Sequence, residues 1–175
     1  MAEIWFYAPA MPSIRIFKEQ KDQLYFITFS VKNLYYIFDR HRRFEILESG
    51  FVYCQKHKGL KIYAFVFMLN HLHFIGQAPD MIRVINSLKS YLSHELQKNI
   101  LATEPEVINL FKEKESYHFW HDNNFPELIT SEEFLEQKYN YIHYNPVRKE
   151  YVYHPEDWRW SSASKIPTKI AITNF

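Results

Sequence analysis

The chain has 175 residues, 47% of them hydrophobic and 18% aromatic, enough apolar material for one domain with a full core. Its three glycines form no GxGxxG or Walker A loop, which excludes the usual glycine-rich nucleotide sites. Lys and Arg total 21 against 20 for Asp and Glu, a net charge of +1, so the chain lacks the overall basic excess common among nucleic-acid binders.

Local clustering of charge is a separate matter. Between Lys32 and Lys61 lie seven basic residues (Lys32, Arg40, Arg42, Arg43, Lys56, Lys58, Lys61) and three acidic ones (Asp39, Glu45, Glu48). This stretch can form a positive face, although a solvated helix gives the same pattern. Cys54 is the only cysteine, which rules out an internal disulfide and a cysteine-based zinc site. The first residues lack the pattern of a signal peptide, and no apolar run approaches the roughly 20 residues needed to span a bilayer. The expectation is a soluble protein of a reducing compartment, cytoplasmic and without a membrane partner.

Taken in order, residues up to about Gln20 are mixed, with Pro9 and Pro12 opposing regular structure. Leu24 to Phe29, rich in aromatic and β-branched residues, predicts a buried strand. Phe44, Leu47, Phe51 and Cys54 recur at helical spacing, predicting a helix from about Phe38 to His57 that Gly59 terminates. Lys61 to Phe67 reads as a second strand. Leu69 and Asn70 make a tight connection, and His71 to Gly76 returns as a third, antiparallel strand. Pro79 and Asp80 open a helix over about Met81 to Asn99, with Ile82, Ile85, Leu88, Leu92 and Leu96 on one face. Glu104 to Glu115 predicts a short helix or loop, and Tyr117 to Trp120 a fourth strand. Thr130 or Ser131 starts a last helix that Pro146 stops after Asn145, and an irregular tail follows. The order β-α-β-β-α-β followed by a helix predicts an α+β, ferredoxin-like (split βαβ) antiparallel sheet with flanking helices. A single domain spans 1–175, with a core of about 22–148 and a tail from 149.

Two features carry chemistry. His71 and His73 are two apart on a strand, so both imidazoles project from one face. Such a pair is half a metal site, a pair of phosphate donors, or simply a surface pair. On the last helix, Tyr141 pairs with Asn145 and Tyr139 with His143, each four apart. The two pairs point nearly opposite ways, at the edges of a core side marked by Leu135 and Ile142, so only one can face the histidines. Periodicity does not choose between them.

Met68 to His73 resembles the MPNHxH signature of HUH single-strand DNA transposases, and Tyr141 to Arg148 resembles the YIxxNPV(R/K) block of REP-associated tyrosine transposases. Tyr25 to Phe29, Phe119-Trp120, and Pro155 to Trp158 with Trp160 to Ala163 match further blocks of that family, so the likeness covers roughly residues 24 to 163. Two departures stand out. Leu69 occupies the usual proline position, leaving the connection less restricted in φ, and Lys149-Glu150-Tyr151 replaces the commoner Ala-Gly-Leu.

The resemblance implies an HUH endonuclease fold and an enzyme that cleaves and rejoins single-stranded DNA near hairpins through a 5′-phosphotyrosine intermediate. It implies Tyr141 as nucleophile, and His71, His73 and Asn145 as ligands of Mg²⁺ or Mn²⁺; imidazole ligation by itself would equally suit Zn²⁺. Arg40, Arg42, Arg43, Arg148 and Arg159, with the tail tryptophans, are the expected DNA contacts. The partner implied is a single strand carrying a REP-like or insertion-sequence hairpin. Related enzymes include swapped dimers, so a homodimer with tyrosine acting in trans is compatible with the resemblance. An inactive relative that holds DNA or RNA hairpins without cutting is the main alternative. A small metal-dependent hydrolase using His118 and His121 as further ligands is a third.

Overall fold

The computed structural model describes residues 22–122 and 126–175. The expectation for the first 20 or so residues lies outside the described residues. Strands β1 (Leu24–Ser30), β2 (Lys61–Phe67) and β3 (His71–Gln77) form the sheet, with α1 (Arg43–Lys58) between the first two and α2 (Met81–Thr103) after the third. A small hairpin of β4 (Lys112–Glu113) and β5 (Ser116–Tyr117) follows, then β6 (Glu127–Leu128) and α3 (Glu132–Arg148). The sheet order β2-β3-β1-β6, antiparallel throughout, is the split βαβ arrangement that the element order predicts.

The period of two sorts the strands onto two faces. Tyr25, Ile27, Phe29, Phe65, Phe67, Leu72 and Phe74 join the larger core with Leu47 and Phe51 of α1 and Leu88, Leu92 and Leu96 of α2. Phe26, Ala64, Val66 and Ile75 face the other way and pack with Ile142 of α3. His71 and His73 share the second face, so α3 is the helix that covers them. Gly59, at φ 68°, caps α1 as expected. Asp80 and Ser131 cap α2 and α3 by accepting from Arg83 N and Phe134 N.

Two boundaries differ from expectation. The residues before Arg43 are turns, with His41 and Arg42 both left-handed (φ 53° and 58°), so α1 starts later than its apolar spacing suggests. Pro146 does not stop α3, which runs to Arg148. Near a helix end, proline forfeits only the bond to the Ile142 carbonyl. The turn beyond it is held by Lys149 N to Asn145 O and Tyr151 N to Pro146 O.

The expected fourth strand is also redistributed. Of Tyr117 to Trp120, Tyr117 belongs to the β4–β5 hairpin, while Trp120 forms one bridge to Val31. The ladder strand beside β1 is β6, pairing Leu128 with Tyr25 and Glu127 with Phe26. The aromatic side chains of Phe119 and Trp120 are drawn into the core under β1, which ends regular pairing there.

The tail runs along the free edge of β2. Phe67 N donates to Trp160 O (2.8 Å), Ser162 N to Phe65 O (3.0 Å) and Thr173 N to Ile62 O (2.7 Å). No helix among the described residues is long and apolar enough to cross a membrane.

Candidate active site

The site is built outward from β3. In the register of the sheet, Thr28 lies opposite His73, and Ser30 opposite His71. Thr28 Oγ1 is 2.7 Å from His73 Nδ1. His71 Nδ1 is 2.7 Å from Asn70 Oδ1, and Asn70 Nδ2 in turn donates to Leu34 O (2.6 Å). A side-chain oxygen thus orients each imidazole through Nδ1, which fits a lone pair on Nε2. The two rings are 4.9 Å apart at 72°.

His73 is 5% exposed, and its Nε2 is the one buried side-chain nitrogen or oxygen without a hydrogen-bond partner among the described residues. Leaving a buried polar atom unpaired costs free energy, so such an atom is a mark of function or strain. Burial, reinforced by the neighbouring His71 and by Lys138, pushes the His73 pKa well down. Burial, then the nearby Lys149, brings His71 down to about 4 despite a hydrogen bond to Asn145. Both rings are therefore neutral near pH 7, the state a metal ligand requires.

The helix decides what the sequence left open. The Tyr141 ring lies 5.1 Å from the His73 ring, edge to face, and 5.9 Å from Phe26. Asn145, 4% exposed, is on the same side and bonds His71. Tyr139 and His143, packed together at 4.3 Å, occupy the other edge, where His143 Nε2 meets Ser162 Oγ at 2.8 Å. Of the two pairs, Tyr141 and Asn145 face the histidines, within one chain.

The donors fit a divalent cation: two neutral imidazoles, one with an orphaned buried nitrogen, and an amide oxygen alongside. No group of three or more His, Cys, Asp or Glu that could hold a metal occurs among the described residues, so a third ligand from these types is not at hand. His118 pairs with Ser116 Oγ (2.9 Å) at the surface, and among the described residues it belongs to no group of three or more such ligands.

The arginines divide. Arg43 is fully buried, donating to Ile37 O, Asn99 Oδ1, Thr103 Oγ1 and Glu104 Oε2, and cannot reach DNA; this corrects the expectation for that residue. Arg40 is held by Glu104 and Asp39. The reason is the late start of α1, which turns the first residues of the basic stretch inward toward the end of α2. Arg42 and Arg159 remain exposed beside a groove of about 360 Å³ that Phe38, Phe44 and Trp160 also line. Arg148 is exposed, with its guanidinium 5.1 Å from the Tyr141 ring.

Sequence reasoning assigned no role to Thr28, Asn70, Phe26 or Lys138. Thr28 and Phe26 share a strand face, a legible signal, but their relation to His73 depends on strand register. The Leu69 departure does not loosen the connection: Leu69 O accepts from Ile37 N and Phe38 N, and Val31 N donates to Asn70 O (2.8 Å).

No family model and no curated protein sequence matches the chain. Among solved structures, the chain is similar to a REP-associated tyrosine transposase bound to a REP hairpin. The identity is 17%, the match covers 87% of this chain and 82% of that one, and the TM-score is 0.66. The two chains share the fold described above, an antiparallel split βαβ sheet with flanking helices.

Proposed function

We propose that this chain, sharing the fold of a hairpin-bound tyrosine transposase, cleaves and rejoins single-stranded DNA beside hairpins. The observation that carries the reading is Tyr141 packed against His73, whose buried Nε2 has no partner. His71, His73 and Asn145 would hold Mg²⁺ or Mn²⁺. Once bound, that ion would supply charge stabilisation at the phosphoryl oxygens and would lower the cost of forming a phenolate.

Tyr141 Oη attacks phosphorus as the bond to the 3′-oxygen breaks. A 5′-phosphotyrosine and a free 3′-hydroxyl result; the phenol loses one proton and the leaving oxygen gains one. One phosphodiester replaces another, so rejoining needs no nucleotide hydrolysis, in keeping with the missing phosphate loop. Arg148, Arg42 and Arg159 contact phosphates. In this reading Tyr141 serves the histidines of its own chain, a cis arrangement that its packing on His73 supports.

A labelled hairpin strand with Mn²⁺, resolved by denaturing electrophoresis, tests this. Wild type forms a covalent band; Tyr141→Phe forms none but binds the hairpin equally well; His71→Ala loses metal-dependent cleavage. An adduct on Tyr141→Phe overturns the nucleophile. Hairpin binding with no adduct in wild type points to the non-cutting reading. Mixing Tyr141→Phe with His71→Ala restores nothing if catalysis is in cis; recovered adduct would show a swapped dimer.

A further inference from the structure

The docking of α3 is uneven. Its buried residues, Ile142, Asn145 and Pro146, all lie in the second half of the helix. A helix anchored at one end can swing or roll about that anchor, and Tyr141 sits at its edge. On the amino-terminal side Leu135 and Tyr139 pack against the same core but are only half-buried, so a further fastening there adds to the hold.

Lys138, one turn before Tyr141, supplies it. Its Nζ is 4.2 Å from the Phe26 ring centroid, 5.0 Å from that of Phe134, and 2.8 Å from Glu127 Oε2. The Lys138 side chain is only 17% exposed. Glu127 is the cross-strand partner of Phe26, so the carboxylate and the ring belong to one place on the sheet. The Phe26 ring stacks on His73 (5.3 Å, 18°) and meets Tyr141 edge-on (5.9 Å, 80°). One continuous packing therefore links the ion pair, Phe26, the metal-side histidine and the tyrosine.

We propose that the Glu127–Lys138 ion pair, closed over Phe26, is a brace that positions Tyr141 against His73. Lys138 and Glu127 are positioning residues, acting through the seat of α3. The inference rests on Tyr141 being the nucleophile, as proposed above.

A charge-swap cycle in the full chain tests it with two readouts. The first is the single-turnover rate of covalent adduct at saturating labelled hairpin strand and Mn²⁺. The second is the fluorine NMR signal of Tyr141 in protein made with 3-fluorotyrosine, identified by its loss in Tyr141→Phe. Lys138→Glu and Glu127→Lys should each slow the adduct about tenfold or more, a typical cost of an ångström-scale displacement. Each should also shift the Tyr141 signal. The double swap should return the rate to within about twofold of wild type and restore the signal, because the pair is rebuilt with reversed sign. Lys138→Met keeps the stem over Phe26 and loses the charge; it should show the same displacement if the reversed charge prevents folding.

Wild-type rate and signal in the single variants would overturn the brace. So would a double swap that stays slow and shifted, which would mean that Lys138 acts by its own charge. If wild type forms no adduct, the functional reading fails, and the fluorine signal still decides the brace.

Discussion

Residue by residue, the arginines show how little charge alone says about role. Arg43 and Arg42 are adjacent in sequence, yet one is fully buried and the other has a side chain 85% exposed. Burying a guanidinium is costly unless its donors are met, and Arg43 meets them on α2 and the Glu104 carboxylate. Arg43→Met therefore leaves the Ile37 carbonyl and Asn99 Oδ1 without this donor, and Glu104 with Arg40 alone of the two guanidinium partners. It should cost about 3 kcal/mol and lower Tm by roughly 6–12 °C, with hairpin affinity unchanged once folded. Arg42→Ala and Arg159→Ala should do the opposite: near wild-type melting, and a slope of log affinity against log salt reduced by about 0.7–0.9 each. Thermal melts and a salt titration of hairpin binding check both. The assignment of Arg43 as structural fails if its variant melts like wild type.

Among the elements, α3 carries the helix-borne half of the site, while β3 carries the strand-borne half. The central contact of the helix is Ile142, fully buried against Phe26, Ala64, Val66 and Ile75. Ile142→Ala should cost about 2–5 kcal/mol in urea unfolding, for lost transfer energy and the cavity left behind. Because Tyr141 depends on the same seat, adduct formation should fall even under conditions where the variant is fully folded. Metal binding to His71 and His73, which lie on the sheet, should weaken less. A variant that keeps full adduct rate would show that α3 is held by other contacts. The helix start was readable in advance from Ser131 with Glu132 and Glu133 in the first turn. Its end was not, since proline permits two further residues once only one backbone bond is lost.

For the molecule as a whole, three histidines, His73 buried and His71 and His143 half-buried, couple folding to pH. Burial holds His71 and His143 near 4 and His73 well below its ordinary value. Above about pH 6.5 they are neutral in both folded and unfolded chains and add nothing to the pH dependence. Below that, the unfolded chain takes up protons that the folded one refuses, so stability falls as pH drops from 6.5 toward 4. Urea midpoints at pH 7.5, 6.0 and 5.0 should decline in that order, and His143→Gln should flatten part of the slope. A midpoint constant across this window would mean that the three rings are not desolvated as described.

What the sequence determined by itself was the set of parts. Strand and helix periods, the caps Asp80 and Gly59, the choice of Thr130 or Ser131 at the start of α3, and the His71-x-His73 alternation are local properties, carried by backbone geometry over a few residues. They sufficed for the first three strands, the three helices and the split βαβ arrangement, but not for the edge strand, which is Glu127–Leu128 and not Tyr117 to Trp120. The grouping of Tyr141 and Asn145 with the two histidines was available only through resemblance, because helical spacing allows either pair to face the sheet. Tertiary structure made that choice: Ile142 takes the centre of the contact, and the helix rolls so that Tyr141 lies over β3 while His143 lies over β2. The pairing of Thr28 with His73, the burial of Arg43 and the Glu127–Lys138 contact arise from strand register and helix docking. Those are relations between segments 45, 61 and 11 residues apart, and no local pattern encodes them.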